Sequence, residues 1–199
     1  MFSPLEKELF EKGYSLIAGV DEAGRGALFG PLIAAAVILN PKNLPSGIKD
    51  SKKLSPEKRK EVFVEIVRTS IAWAVGVGSL EEIEEKNVLQ ATFTAMRQAI
   101  KRLVPKPQVV IVDGPRCPGV KWVKEIAVIG GDDKILSVAA ASIVAKVVRD
   151  SIIEKMEAWF PGYNLISNKG YGTRKHRAGI ALRGYSVYHR SNFNVKIDL

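Results

Sequence analysis

Four carboxylates stand where an apolar chain has least reason to put them. Asp21 and Glu22 follow the run Leu16-Ile17-Ala18-Gly19-Val20, Asp113 follows Val109-Val110-Ile111-Val112, and Asp132 sits at the threshold of a long helical pattern. Ions buried without partners are expensive, so acids at the ends of buried elements ask for something to neutralise them. In α/β sheets, ligands collect beyond strand ends, where loops from separate strands converge. Carboxylates gathered there would repel one another unless cations lay between them, and oxygen-only donors suit Mg²⁺ or Mn²⁺. With one cysteine and two histidines, no zinc-type ligand spacing is available. Each acid also has a plainer reading. Asp21 can open a turn while Glu22 pairs with Arg25, Asp113 before Gly114-Pro115 can do the same, and Asp132 or Asp133 can cap a helix. Strand side chains alternate, so Asp21 and Glu22 share a site only if the strand ends or bulges there. Ala23-Gly24 fits such an ending.

The elements that must position these acids alternate between strand and helix patterns. A short amphipathic helix over residues 1–14 carries Leu5, Leu9 and Phe10 on one side. Strands are expected over residues 16–20, at Pro31 to Leu39, at Ile71 to Val77, at Gln108 to Val112 and at Glu125 to Ile129. In the third of these, Gly76 and Gly78 are expected to twist or bulge the strand. Helices are expected from Ser55-Pro56 to about Thr69, briefly after Ser79, over Asn87 to Val104, from Asp133 to about Phe160, and near Thr173 to Leu182. The small-residue face of the long helix, Ala139, Ala140, Ala141, Ser142 and Ala145, permits close approach to a neighbour. This alternation gives an α/β class, a mixed sheet with helices on both faces.

Composition narrows the partner. The 199 residues suffice for one sizeable core, and a single domain is expected. Thirty Lys plus Arg against 21 Asp plus Glu leave a net charge of +9, which suits a polyanion. The lone Cys117 allows no intrachain disulfide, and no apolar run approaches the length of a membrane span. A cytoplasmic location and a monomer, with no membrane contact, are the expectations.

Six motifs occur in order: VDEAGRG at Val20 to Gly26, DSKKL at Asp50 to Leu54, VDG at Val112 to Gly114, GGDDK at Gly130 to Lys134, AAASIVAK at Ala139 to Lys146, and KGYGT at Lys169 to Thr173. Together they resemble type 2 ribonuclease H (ribonuclease HII) from about Ile17 to Phe193. The resemblance implies a ribonuclease H-like fold: a mixed five-stranded sheet flanked by helices. It also implies a helical C-terminal segment, about residues 161–199, that packs on the sheet and binds substrate. It implies that Asp21, Glu22, Asp113 and Asp132 bind two Mg²⁺ or Mn²⁺ ions and carry the catalysis. Asp133 occupies a position that is often alanine in the family, and spacing to Lys134 and AAASI favours Asp132. The implied activity is an endoribonuclease that cuts the RNA strand of RNA:DNA hybrids, and cuts 5′ of single ribonucleotides in duplex DNA, leaving 5′-phosphate and 3′-hydroxyl ends. A hybrid-binding module without chemistry is the alternative; it would keep the charge but gain nothing from convergent acids.

Selectivity for RNA requires a reader of the ribose 2′-hydroxyl. Gly24-Arg25-Gly26 is the candidate, because glycines let the main chain approach a sugar and read it without regard to the base. Tyr171 resembles the family tyrosine that stacks on the sugar after the ribonucleotide. Lys52 and Lys53, with Lys49, Lys58 and Arg59, form one basic cluster expected to hold phosphates. Lys169, Arg174, Lys175, His176 and Arg177 form another. Where the family commonly has a His-Arg-Arg-Ser-Phe-like run followed by proline, this chain has His189-Arg190-Ser191-Asn192-Phe193 and then Asn194. Only fifteen or so residues precede the first strand, too few for the N-terminal substrate-binding domain of the related type 3 enzymes.

Overall fold

The computed structural model describes residues 1–48 and 54–193. Ser3 and Glu6 close a capping box at the start of α1 (Pro4–Glu11). The chain then forms β1 (Ile17–Ala23), β2 (Leu32–Ile38), α2 (Pro56–Thr69) and β3 (Ala72–Gly78). α3 (Leu80–Lys86) starts at the capping Ser79, and Asn87 caps α4 (Val88–Arg102) by accepting the Leu89 and Gln90 N–H groups. β4 (Val109–Asp113), β5 (Lys124–Val128), α5 (Gly131–Lys134), α6 (Leu136–Met156), α7 (Leu165–Asn168) and α8 (Arg174–Arg183) complete the order.

The five strands form one sheet in the order β3-β2-β1-β4-β5. β1 pairs antiparallel with β2 and parallel with β4, so it is the central strand of a mixed sheet. The two-residue period divides its side chains. Ala18 and Val20 join the core under α4, with Met96, Ile100 and Leu103; Ile17 and Ala23 face the side covered by α6. A third cluster, including Phe29, Ile153, Tyr163 and Ile180, fastens the C-terminal segment to the end of α6. Single antiparallel bridges tie Ala27 to Tyr171 and Phe29 to His189.

Three expectations are corrected. β1 does not stop or bulge at Asp21: Asp21, Glu22 and Ala23 pair in unbroken register with Ala35, Ala34 and Ile33. What ends is its other ladder, the parallel pairing with β4, which closes at Val20–Val112. The helix expected from Asp133 to Phe160 is two helices, because Ile135 is extended (φ −118°, ψ 121°) and buried among Leu9, Ile17 and Val138. No side chain of Ile135 can cap α6, and the buried Glu6 carboxylate does so from α1, accepting the Leu136 and Ser137 N–H groups at 3.2 and 3.0 Å. Gly76 makes no bulge either. β3 keeps regular register with β2, and a Cβ at Gly76 would lie 2.0 Å from the Ala95 carbonyl oxygen, so glycine there admits the backbone of α4.

Candidate active site

Because β4 ends at Asp113 just where β1 runs on, the sheet opens at the carboxyl ends of its two central parallel strands. Asp21 and Glu22 project there to opposite sides. Asp21 points to the α6 side, is 6% exposed, accepts the Glu22 N–H at 2.7 Å and is hydrogen bonded to Ser142 of α6. Glu22 lies between two hollows, one beneath α6 and one beside Phe93 and Met96 of α4. Asp113 lines the α4 hollow, and its Oδ1 accepts the Gly131 N–H at 2.6 Å, which fixes the start of α5. Asp132, on α5, lines the α6 hollow with Glu22.

Burial and mutual repulsion set the electrostatics. Burial pushes the Asp21 carboxyl well above the usual carboxylate range; the charges of Glu22 and Asp113 push it further, against the Ser142 hydrogen bond. Glu22 is also raised by burial, with Asp113 adding to the rise and Arg25, in a 3.2 Å ion pair with it, pulling it down. The structure thus brings Asp21, Glu22 and Asp113 into mutual influence, while Asp132 shares the α6 hollow with Glu22 alone among them. Among the described residues, no three His, Cys, Asp or Glu side chains stand close enough to form a ready-made metal cage. The donor chemistry nevertheless fits a hard divalent cation. All these groups offer oxygen, and positive charge is what their crowding lacks.

The hollow beneath α6 has a volume of about 460 Å³ and is lined by Glu22, Asp132, Gly24-Arg25-Gly26, Arg59, Lys146 and Tyr171, among others. The Gly-Arg-Gly loop and Tyr171, 145 or more residues apart in the sequence, therefore share one cleft with two of the acids. Gly24 takes φ +95°, and a Cβ there would lie 1.9 Å from Arg149 Nε, so both backbone and packing demand glycine. Gly26 has no such constraint: nothing lies within 4 Å of its Cβ position. Tyr171 is half-buried, with the Lys146 ammonium 5.1 Å and the Arg149 guanidinium 5.2 Å from its ring centroid.

The basic clusters divide. Lys49, Lys52 and Lys53 lie outside the described residues. Arg59 reaches the cleft and donates to the Leu54 carbonyl, while Lys58 pairs with Glu61 on the surface. Arg174 and Lys175 are exposed, but Lys169 pairs with Glu154 at 2.8 Å. His176 is no phosphate ligand. It is fully buried, its pKa is lowered by that burial, and its Nε2 stands 3.2 Å from Nε2 of His189. A single tautomer arrangement satisfies the pair. The Ser186 N–H donates to His189 Nδ1, His189 Nε2–H donates to His176 Nε2, and His176 Nδ1–H donates to the Tyr171 carbonyl. Sequence reasoning gave no site role to Ser142, Arg149 or Arg190, and it placed His176 among the phosphate-binding residues without foreseeing its pairing with His189. The run AAASIVAK contained Ser142 but offered no sign of its partner.

A mixed five-stranded sheet with carboxylates at the ends of its central parallel strands defines the ribonuclease H-like class. Solved structures of that class superpose on the chain. The ribonuclease H2 of Pyrococcus horikoshii OT3 has a TM-score of 0.75 at 27% identity, covering 89% of this chain and 93% of that one. The structure of a PCNA:RNase HII complex from Archaeoglobus fulgidus gives 0.70 at 29% identity, covering 88% and 92%. The family model for ribonuclease HII matches residues 18–196. Ribonuclease HII of Vibrio vulnificus strain YJ016 is 45% identical over 92% of this chain and 88% of its own length. That of Moorella thermoacetica is 45% identical over 94% and 91%. The chain belongs to the ribonuclease HII family, and it is an endoribonuclease. Among the described residues, no helix is long and apolar enough to cross a membrane.

Proposed function

We propose that the protein hydrolyses the RNA strand of RNA:DNA hybrids and cuts 5′ of single ribonucleotides in duplex DNA, leaving 5′-phosphate and 3′-hydroxyl ends. The observation that carries this reading is the cleft itself. Glu22, crowded by the buried Asp21 and by Asp113, lines it together with Asp132, a glycine-flanked main-chain loop and a tyrosine, in a chain of net charge +9. Asp21, Glu22, Asp113 and Asp132 would hold two divalent ions, Mg²⁺ or Mn²⁺. Such ions supply water activation and neutralise charge on the leaving 3′ oxygen. Ser142 and the Glu22 N–H fix one face of the Asp21 carboxylate, and the Gly131 N–H fixes Asp113, so the ligands are oriented from behind.

The Gly24–Gly26 backbone reads the 2′-hydroxyl, and Tyr171 packs on the following sugar to sense the RNA-to-DNA junction. Residues from about 161 onward act as the substrate-binding segment, joined to the loop by the Ala27–Tyr171 and Phe29–His189 bridges. Lys52, Lys53, Arg59, Arg174 and Lys175 hold phosphates, so binding weakens as salt rises. The test is a DNA duplex with one embedded ribonucleotide, incubated with Mg²⁺, with Mn²⁺ or with neither. Metal-dependent cutting 5′ of the ribonucleotide is expected, and cleavage of all-DNA duplex at an equal rate would overturn the reading.

A further inference from the structure

Two guanidinium groups are among the largest fully buried side chains, and backbone oxygens surround both. Arg190 makes four hydrogen bonds to three carbonyls: Nε and Nη2 to Gly30 at 3.1 and 2.8 Å, and Nη1 to Gly24 and Arg25 at 2.8 and 3.0 Å. Its own N–H donates to the Leu28 carbonyl at 2.9 Å. Arg149, beside it, donates to the carbonyls of Pro31, Phe29 and Lys169. Burial, then the charge of Arg149, lowers Arg190 to about 9. Two like charges buried side by side are a costly way to stabilise a fold, since apolar residues of similar volume commonly do as well. What the fork of Arg190 achieves, and an apolar side chain cannot, is to turn particular carbonyls inward.

That orientation has a consequence for the loop. In a trans peptide the C=O of one residue and the N–H of the next point in opposite directions. With the Gly24 and Arg25 carbonyls held against Arg190, the Arg25 and Gly26 N–H groups are directed away from it, on the loop that lines the cleft. Among the described residues neither N–H has an acceptor.

The geometry points to Arg190 as the positioning residue for ribose selection: it holds Gly24-Arg25-Gly26 so that two adjacent main-chain donors are presented to the 2′-oxygen. This rests on the loop being the sugar reader. Lysine keeps the charge but lacks the planar fork that reaches three carbonyls at once, so Arg190→Lys isolates the geometry. The experiment measures the affinity of the full chain, in Ca²⁺ to block cutting, for a duplex with one ribonucleotide and for the same duplex in DNA only. Arg190→Lys is expected to cut the ribonucleotide-over-deoxy preference at least fivefold while leaving all-DNA affinity within about twofold. Equal losses on both duplexes, or an unchanged preference, would overturn the inference.

Gly26→Ala tests the underlying reading separately, because the added methyl meets no protein atom and obstructs only a ligand. If Gly26→Ala lowers the preference and Arg190→Lys does not, the Arg190 inference falls alone. If neither lowers it, the loop is not the reader. Should Arg190→Lys fail to fold, amide relaxation of the unaltered protein decides. Arg25 and Gly26 are expected to be as rigid as β1, and loop-like mobility at both would overturn the inference.

Discussion

The opening of the sheet and the floor beneath the Gly-Arg-Gly loop both bury charge, and they treat it in opposite ways. At the sheet opening, Asp21, Glu22 and Asp113 crowd together, and burial drives the first two toward the protonated form. Under the loop, Arg149 and Arg190 are wrapped in carbonyls, and the two histidines are hydrogen bonded in a single consistent chain. One region leaves a deficit that a cation can fill; the other leaves almost nothing unsatisfied and is therefore stiff. The contrast teaches that in this protein unsatisfied charge marks the site proposed for chemistry, and satisfied charge marks the framework that holds its surroundings in place.

The hardest blow to the contrast is aimed at the acids. Asp113→Asn keeps the oxygen that accepts the Gly131 N–H, so the fold should survive, while cleavage falls at least a thousandfold, about 4 kcal/mol of barrier. Hybrid binding by that variant should stay near the parent's, and full activity would remove Asp113 from the site. A smaller effect is expected from Tyr171→Ala, with cutting at a lone ribonucleotide losing about tenfold more than cutting within a long hybrid. Equal losses in a kinetic comparison would deny it a junction-sensing role.

Stability sharpens the comparison further. A carboxyl whose folded pKa is raised binds its proton more tightly in the folded state, so ionised Asp21 opposes folding. Asp21→Asn should therefore raise the Tm of the metal-free protein by a few degrees at neutral pH while abolishing activity. That gain should vanish below about pH 4, where Asp21 is protonated in the unfolded chain too.

The histidine pair behaves in the reverse sense. Burial, then the charge of His176, lowers His189 from 6.5 to about 4, so its neutral form favours the fold. This contribution is complete above about pH 6.5 and is lost as pH falls from there toward 4. A Tm-against-pH profile should be shallower over that window in His189→Gln, and a profile parallel to the parent's would show that the pair contributes nothing. Falling pH thus relieves the acid end and loads the floor.

Much of this molecule was legible in the chain. Ser3, Ser55 and Ser79 cap helices by bonds that reach three residues ahead, and the period of α4 faces the sheet as its pattern requires. Asp113 closes β4, and Asp21 and Glu22 are among the last three residues of β1, so the acids stood out as charges in apolar surroundings. The side each faces followed from strand alternation once β1 was seen to continue, but its continuation depends on pairing with β2, not on Ala23-Gly24.

Sequence alone determined the alternation of strands and helices and the position of the acids along them, because these depend on residues a few places apart. Only the tertiary structure decided how buried charge is satisfied. Glu6 caps a helix 130 residues away, Arg190 grips the Gly24 carbonyl across 166, and His176 on α8 settles its tautomer against His189, beyond the end of that helix. A hydrogen bond acts over about 3 Å, and nothing in a local pattern says which distant backbone oxygen will come within that reach.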